Sequence, residues 1–218
     1  MSVVRLIALA LLLLPLTGCA LLTGNGVLPE RGPLTLTLRA GPVGTDTSAA
    51  KLLRTGLVPP EKLVSIPEAL RLAPEGSVLV ACWRDVQAVN FWGLCSHVAR
   101  QLEPGVMADQ PGLTKLAGRR PTASLLSRYA VIVLDVGVRP AQFAALEAEV
   151  DRLGPQLYSF SGAPGTSYCS DYQNELQRAL KLPDVIPFDP AWNALLPGDA
   201  LKMPSARLLY VGLNEASK

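Results

Sequence analysis

The sequence contains a single histidine and almost no net charge. With one histidine, and with cysteines that are scattered rather than clustered, it lacks the ligand spacing of a structural zinc site. The formal charge is only +2, so no basic field indicates nucleic acid as a partner. Hydrophobic residues make up 49% of the chain, which excludes disorder of the chain as a whole.

An apolar run at residues 6–16 is too short to span a bilayer as a helix. Arg5 precedes it and Leu-Thr-Gly-Cys follows at residues 16–19, a pattern typical of a signal peptide. This ending resembles the lipobox of bacterial lipoproteins, in which the cysteine is lipidated and becomes the mature N-terminus. The resemblance implies cleavage before Cys19 and a lipid anchor on it. The alternative is an ordinary secretory signal with a chance cysteine.

Three segments are predicted along the chain. Residues 1–18 are the lipoprotein signal peptide, and residues 19–59, rich in Gly, Pro and Thr, are a tether and lead-in segment. Residues 60–218 form one domain of ordinary size. Ala20 rather than an aspartate follows the lipobox, and by the same resemblance this implies an outer-membrane anchor facing the periplasm.

The compact part alternates between two kinds of apolar pattern. Runs rich in apolar and β-branched residues predict strands, and apolar stripes that begin at Ser, Pro or Cys predict helices. The predicted strands are residues 77–80, 96–102, 106–109, 129–136 and 206–211, with a further one at 34–38 in the lead-in segment. The predicted helices are residues 65–72, 140–153 and 169–181. This order indicates an α+β domain.

Cys169 lies at the predicted start of a helix. The positive end of the helix dipole favours the thiolate there, and the first N–H groups of the helix, above all that of Cys169, can bind an oxyanion. Cysteine nucleophiles usually act beside an imidazole, and His97 is the histidine available. Together the two residues indicate a thiol hydrolase.

Four short motifs support this hypothesis. They are Gly-Ser-Val-Leu-Val at 76–80, Ser-His-Val at 96–98, Leu153-Gly154 with Tyr158, and Tyr-Cys-Ser at 168–170. Over about residues 70–185, their order resembles the circularly permuted papain-like amidases of the NlpC superfamily, the YiiX-like group, in which histidine precedes cysteine. The resemblance implies an antiparallel sheet packed against helices, with the catalytic cysteine at a helix N-terminus.

The resemblance also implies a polar third residue that orients the imidazole. On the strand that follows His97, this position falls on Asp109. Gln110 is the alternative, because a one-residue shift of register exchanges the faces of a strand. Tyr168, Gln110 and Trp92 are the residues expected to line the site. The histidine strand departs from the family at Arg100 and Gln101, which make it more polar.

The implied activity is hydrolysis of an amide bond, with peptidoglycan stem peptides as the leading substrate. Two alternatives stay open, a lipid-directed acyltransferase or thioesterase of the same fold, and a non-catalytic envelope binding or assembly lipoprotein. No cofactor and no metal are expected. The expected partners are the membrane, through lipidated Cys19, and a peptidoglycan or lipid substrate, without nucleic acid. The sequence does not indicate an oligomeric state.

Cysteines other than Cys19 are odd in number, so at least one is free or pairs outside the chain. Cys82 and Cys95 flank a loop with Trp83 and Trp92. Two hypotheses stay open for them, a disulfide that closes this loop and two unpaired buried thiols.

Overall fold

The computed structural model describes residues 38–42, 49, 52, 55–83 and 95–214. Cys19 and Trp92 of the predicted site lie outside this part of the chain, as do residues 34–37 of the strand predicted in the lead-in segment. Among the described residues, no helix combines the length and the apolar character needed to cross a membrane.

Strands and helices are interspersed along the described residues, which confirms the expected α+β class. The strands are β1 (Arg39–Ala40), β2 (Leu57–Val58), β3 (Leu63–Ser65), β4 (Val78–Cys82), β5 (Cys95–Glu103), β6 (Val106–Asp109), β7 (Gly118–Pro121), β8 (Ala130–Asp135), β9 (Leu157–Tyr158), β10 (Thr166–Ser167), β11 (Phe188–Asp189), β12 (Ala194–Leu195) and β13 (Arg207–Leu213). The helices are α1 (Ile66–Leu72), α2 (Phe143–Leu153) and α3 (Cys169–Ala179), and short 3-10 helices lie at Pro60–Lys62, Thr122–Leu125, Pro140–Gln142 and Pro197–Lys202.

Seven of the described strands form one sheet, in the order β3-β13-β8-β4-β5-β6-β7. All neighbours in it are antiparallel except β3 and β13, which run parallel. Its central strand β4 is buried at all five positions, as its apolar sequence Val-Leu-Val-Ala-Cys requires. A tight turn joins β5 to β6, and Gly105 has a φ of 84° there, a conformation that glycine adopts without steric cost.

Each helix buries the apolar stripe that the sequence predicts. In α1, the Ser65 side chain accepts a hydrogen bond from the N–H of Glu68 at 3.3 Å, so that Ser65 caps the helix. The apolar side of α1 belongs to a core cluster with Leu79, Met107 and Val133 of the sheet. Helices α2 and α3 share a second cluster with β5 and β6, whose members include Leu102, Ala108, Leu146, Val150, Tyr172 and Leu176.

Some residues before residue 60 also pack into the core. Leu38, Ala49, Leu52 and Val58 are buried in the largest apolar cluster, beside residues of β4, β8 and β13. β1 and β2 pair in parallel, which brings residues 39–40 next to 57–58. Part of the predicted lead-in segment therefore contributes to the domain.

Candidate active site

His97 in β5 and Asp109 in β6 are in side-chain contact. Nε2 of His97 lies 2.8 Å from Oδ1 of Asp109, and both side chains are almost fully buried. At this distance the carboxylate and the ring nitrogen attract each other strongly, and Oδ1 has no other hydrogen-bond partner among the described residues. The pair is therefore a close charge contact between a buried carboxylate and a ring nitrogen.

The register of the β5–β6 hairpin explains why these two residues meet. Gln101 pairs with Met107, and Arg100 pairs with Ala108. The next residue of β6, Asp109, is therefore level with Ala99, two residues from His97 along β5. Diagonal neighbours of this kind are within reach of long side chains. A spacing of twelve residues around a tight turn thus places an acid beside the imidazole.

Cys169 is the first residue of α3, as the sequence predicts. It is buried, and its thiol forms no disulfide. Tyr168 before it has extended backbone angles, φ −116° and ψ 172°, so the helix begins abruptly at the cysteine. The N–H of Cys169 has no partner inside the helix because it lies in the first turn. Thiol, helix dipole and an N–H donor therefore coincide at one residue.

The electrostatic surroundings of His97 favour its protonated form. Burial alone would lower the pKa of His97, since it penalises the charged ring. The charge of Asp109 and its close contact, and then the nearby side chain of Cys169, outweigh burial and raise the pKa of His97 to about 10. The imidazole thus lies between an acid and a thiol.

Three aromatic rings form a cluster that includes Tyr168, the residue before Cys169. The ring of Phe160 is 4.6 Å from that of Tyr168 and 5.4 Å from that of Tyr158. The Tyr168 hydroxyl accepts a hydrogen bond from the N–H of Leu195 at 2.8 Å, which anchors this side chain. Burial first, and then the charge of Cys169, raise the pKa of Tyr158, so its phenol stays a neutral hydrogen-bond donor.

Gln110, the alternative third residue, is fully buried and directed elsewhere. Its side-chain amide donates a hydrogen bond to the carbonyl of Gln156 at 3.0 Å. The hydroxyl of Ser167 donates in turn to the side-chain oxygen of Gln156. Gln110 therefore ties the end of β6 to the segment before Cys169, whereas Asp109 is the residue that contacts His97.

Arg100 belongs to a buried network that the sequence did not predict. Its guanidinium is fully buried and lies within salt-bridge distance of no carboxylate among the described residues. It donates to the side-chain oxygens of Gln173 and Gln177 at 3.3 and 2.8 Å, and to the carbonyls of Gly76 and Gln173. Gln173 also donates to the carbonyl of Ala108 at 3.2 Å. Burial lowers the pKa of Arg100 to about 9.

Two signals in the sequence could have identified this network. Arg100 stands in β5 between Ala99 and Gln101, with Val98 and Leu102 beyond them. Gln173 and Gln177 follow Cys169 at four-residue intervals. Residues four apart share one side of a helix. Two glutamines on the buried side of α3 therefore indicate a polar partner on the strand that packs against it.

Cys82 and Cys95 form a disulfide, which decides between the two hypotheses left open by the sequence. They are cross-strand partners in β4 and β5, next to an irregularity in the register. Cys95 lies two residues before His97, so the disulfide fixes the start of the histidine strand. Trp83 directly follows Cys82, and the guanidinium of Arg128 lies over its ring, 4.4 Å from the ring centre.

Nothing among the described residues groups three or more His, Cys, Asp or Glu side chains in a way that could hold a metal ion. No protein-family model matches the chain, and no curated protein matches its sequence.

Proposed function

We propose that this chain is a cell-envelope cysteine hydrolase, with Cys169 as the nucleophile and His97 as the general base. The observation that carries the proposal is the position of His97, which contacts Asp109 and is near enough to Cys169 for that side chain to raise its pKa. A carboxylate, an imidazole and a thiol in this succession are the groups that nucleophilic catalysis by cysteine requires. Their order along the chain also agrees with the permuted papain-like amidases that the motifs resemble.

In the proposed reaction, His97 already holds the proton of Cys169, in keeping with its raised pKa, and the Sγ thiolate attacks the carbonyl carbon of the substrate. The N–H of Cys169 donates to the oxyanion that forms. The bond to the leaving group breaks as His97 returns the proton to the leaving atom, and an acyl-thioester remains on Cys169. Water then gives a proton to His97 and hydrolyses the thioester. Asp109 holds the ring in place and stabilises its charged form.

For the bond cleaved, the resemblance favours an amide, and stem peptides of peptidoglycan are its leading source in the envelope. Lipidation of Cys19 would tether the enzyme to the membrane. A lipid-directed acyltransferase or thioesterase would use the same three groups on a different carbonyl compound.

A non-catalytic binding or assembly lipoprotein is the second candidate from another class. It would need neither a free thiol nor a histidine beside it. The free Cys169 and its contact with His97 argue for the enzyme instead.

The test is alkylation of Cys169 in the full chain by iodoacetamide at pH 6, followed by mass spectrometry of its peptide. An ordinary thiol with a pKa near 8.5 is under about 1% thiolate at this pH. We expect alkylation of the wild type to be at least about tenfold faster than that of His97→Ala. Arg119→Ala, which changes an exposed side chain, serves as control and should match the wild type.

Equal rates for wild type and His97→Ala would overturn the hydrolase and favour the binding protein. Incubation with purified muropeptides and, separately, with phospholipid vesicles then identifies the bond, with products read by mass. Cys169→Ala must abolish any product that is assigned to the enzyme.

A further inference from the structure

Arg128 is a half-buried cation that has no carboxylate of its own. It lies two residues before β8, with its guanidinium over the ring of Trp83. Its side chain forms no hydrogen bond and no ion pair with any residue that the structure describes. A guanidinium carries five N–H donors in a rigid fork. Within the described part of the chain, all five donors are therefore unused.

Trp83 adds a second unused donor at the same place. Its Nε1 atom is buried and has no hydrogen-bond partner in the described ranges. The N–H of a buried tryptophan usually finds an acceptor. Because the guanidinium of Arg128 lies over the indole ring, the two donor groups are held next to each other. We call them the Arg128–Trp83 pair.

The Arg128–Trp83 pair lies on the side of the sheet that carries the candidate base. Trp83 directly follows β4, and it is two residues from Ala81, which pairs with His97 in β5. Side chains two residues apart on an extended chain point to the same side, and directly paired residues share that side. Trp83 and His97 therefore face the same way at this end of the sheet.

The electrostatic surroundings of Arg128 also connect it with the candidate site. Burial lowers the pKa of Arg128, and the charges of Asp109 and Cys169 act in the opposite direction. The guanidinium is thus close enough for both charges to act on it. Asp109, however, makes its close contact with His97 rather than with Arg128. A carboxylate that enters the site can therefore reach the guanidinium without displacing a described side chain.

We infer that the Arg128–Trp83 pair binds a carboxylate group of the substrate, close to the bond that Cys169 attacks. The inference rests on the proposed function and narrows its substrate to amides that carry a free carboxylate near the scissile bond. A guanidinium binds a carboxylate through two parallel hydrogen bonds, and the indole N–H donates to the same anion. A neutral ester or amide would leave the half-buried cation without a counter-charge.

The test compares two alkylating agents of similar size, iodoacetate and iodoacetamide, on Cys169 in the full chain at pH 6 and constant ionic strength. Both form a thioether and release iodide, but only iodoacetate is an anion. The ratio of the iodoacetate rate to the iodoacetamide rate cancels changes in the reactivity of the thiol itself. Arg128→Met should lower this ratio at least about tenfold, because it removes the charge and the fork.

Two further variants complete this comparison. Arg128→Lys keeps the charge without the fork and should retain part of the wild-type ratio. Arg119→Met, at an arginine that already binds Glu147 and Asp151 at the surface, is the matched control and should keep the whole ratio. A ratio in Arg128→Met that equals that of the wild type would overturn the inference, even if both rates fall, since Arg128 would then act on the thiol or on the fold.

A second measurement leaves the sequence unchanged and so does not depend on how a variant folds. N-acetylglycine should slow the alkylation of wild-type Cys169 by iodoacetamide, whereas N-acetylglycinamide, which has the same shape without the charge, should not. Equal protection by the two compounds, or protection by neither, would overturn the carboxylate site and leave the hydrolase standing. Failure of the hydrolase itself would appear instead as alkylation of Cys169 that is independent of His97.

Discussion

Nε of Arg100 in β5 donates a 3.3 Å hydrogen bond to the side-chain oxygen of Gln173 in α3. Arg100 lies three residues after His97, and Gln173 lies four residues after Cys169. The hydrogen bond therefore joins the strand that carries the candidate base to the helix that carries the candidate nucleophile. Because it is buried, it orients the two elements without competition from water.

Arg100→Met should destabilise the fold and slow alkylation of Cys169. The substitution keeps an unbranched side chain but leaves the side-chain oxygens of Gln173 and Gln177 unpaired in the interior. Each unpaired buried polar group costs about 1–3 kcal/mol, so for the two oxygens we expect a loss of about 2–6 kcal/mol in the free energy of unfolding. Urea denaturation measures the stability, and iodoacetamide labelling measures the thiol.

Two variants test whether the loss comes from the unpaired amides. Adding Gln177→Met to Arg100→Met removes one of the orphaned oxygens, so the double variant should be less destabilised than the sum of the single ones. Arg119→Met removes an arginine that binds Glu147 and Asp151 at the surface, where ion pairs contribute about 1 kcal/mol or less. If Arg100→Met is no less stable than Arg119→Met, Arg100 does not anchor α3.

The raised pKa of His97 predicts how stability changes with pH. The folded-state pKa of about 10 lies above the ordinary value of 6.5, so proton binding by His97 stabilises the folded protein. This contribution is full below pH 6.5, decreases as the pH rises, and is lost above about pH 10. Its slope in between is at most about 1.4 kcal/mol per pH unit.

Asp109→Asn removes the charge that raises the pKa of His97 most. The difference in the free energy of unfolding between wild type and Asp109→Asn should therefore be largest near pH 6 and shrink towards pH 10. Denaturation curves at several pH values in this interval measure it. A difference that stays constant with pH would show that Asp109 does not affect the protonation of His97.

Local signals predicted the elements that form the candidate site. β6 has the predicted bounds, because Gly105 and Pro111 delimit its apolar run, and α3 begins at Cys169 as its amphipathic pattern indicates. The diagonal contact between His97 and Asp109 follows from the same turn. Each of these features depends on residues that are close in sequence.

Features that depend on distant residues were not predicted. β7 has the polar sequence Gly-Arg-Arg-Pro and is a strand because it pairs with β6. β3 pairs in parallel with β13, more than one hundred residues later, and neither short apolar run specifies the other. A charged residue in a strand is usually solvated, and only the packing of α3 against β5 gives Arg100 its buried hydrogen-bond partners. Secondary-structure propensity describes the local preference of a residue, so it does not predict such pairings between distant segments.

Asn174 in α3 should be important for stability but not for the reactivity of Cys169. Its side-chain oxygen accepts hydrogen bonds from the N–H groups of Val185 and Ile186, both at 3.0 Å, and its amide donates to the carbonyl of Ile186 at 2.8 Å. Asn174→Ala leaves these buried groups unpaired and should cost about 2–4 kcal/mol in the free energy of unfolding. Below the denaturation midpoint, the alkylation rate of Cys169 should still depend on His97. If that dependence is lost, stability and reactivity cannot be separated on this helix.

The disulfide between Cys82 and Cys95 should stabilise the sheet at the start of the histidine strand. It closes a loop of sequence separation 13, for which the loss of chain entropy in the unfolded state is worth about 3 kcal/mol. The double variant Cys82→Ala/Cys95→Ala should therefore unfold at lower urea concentration than the oxidised wild type. Dithiothreitol should lower the stability of the wild type by a similar amount and leave the double variant unchanged. A reductant effect that persists in the double variant would place its origin at another thiol, and equal stability of all forms would show that the disulfide does not constrain this end of β5.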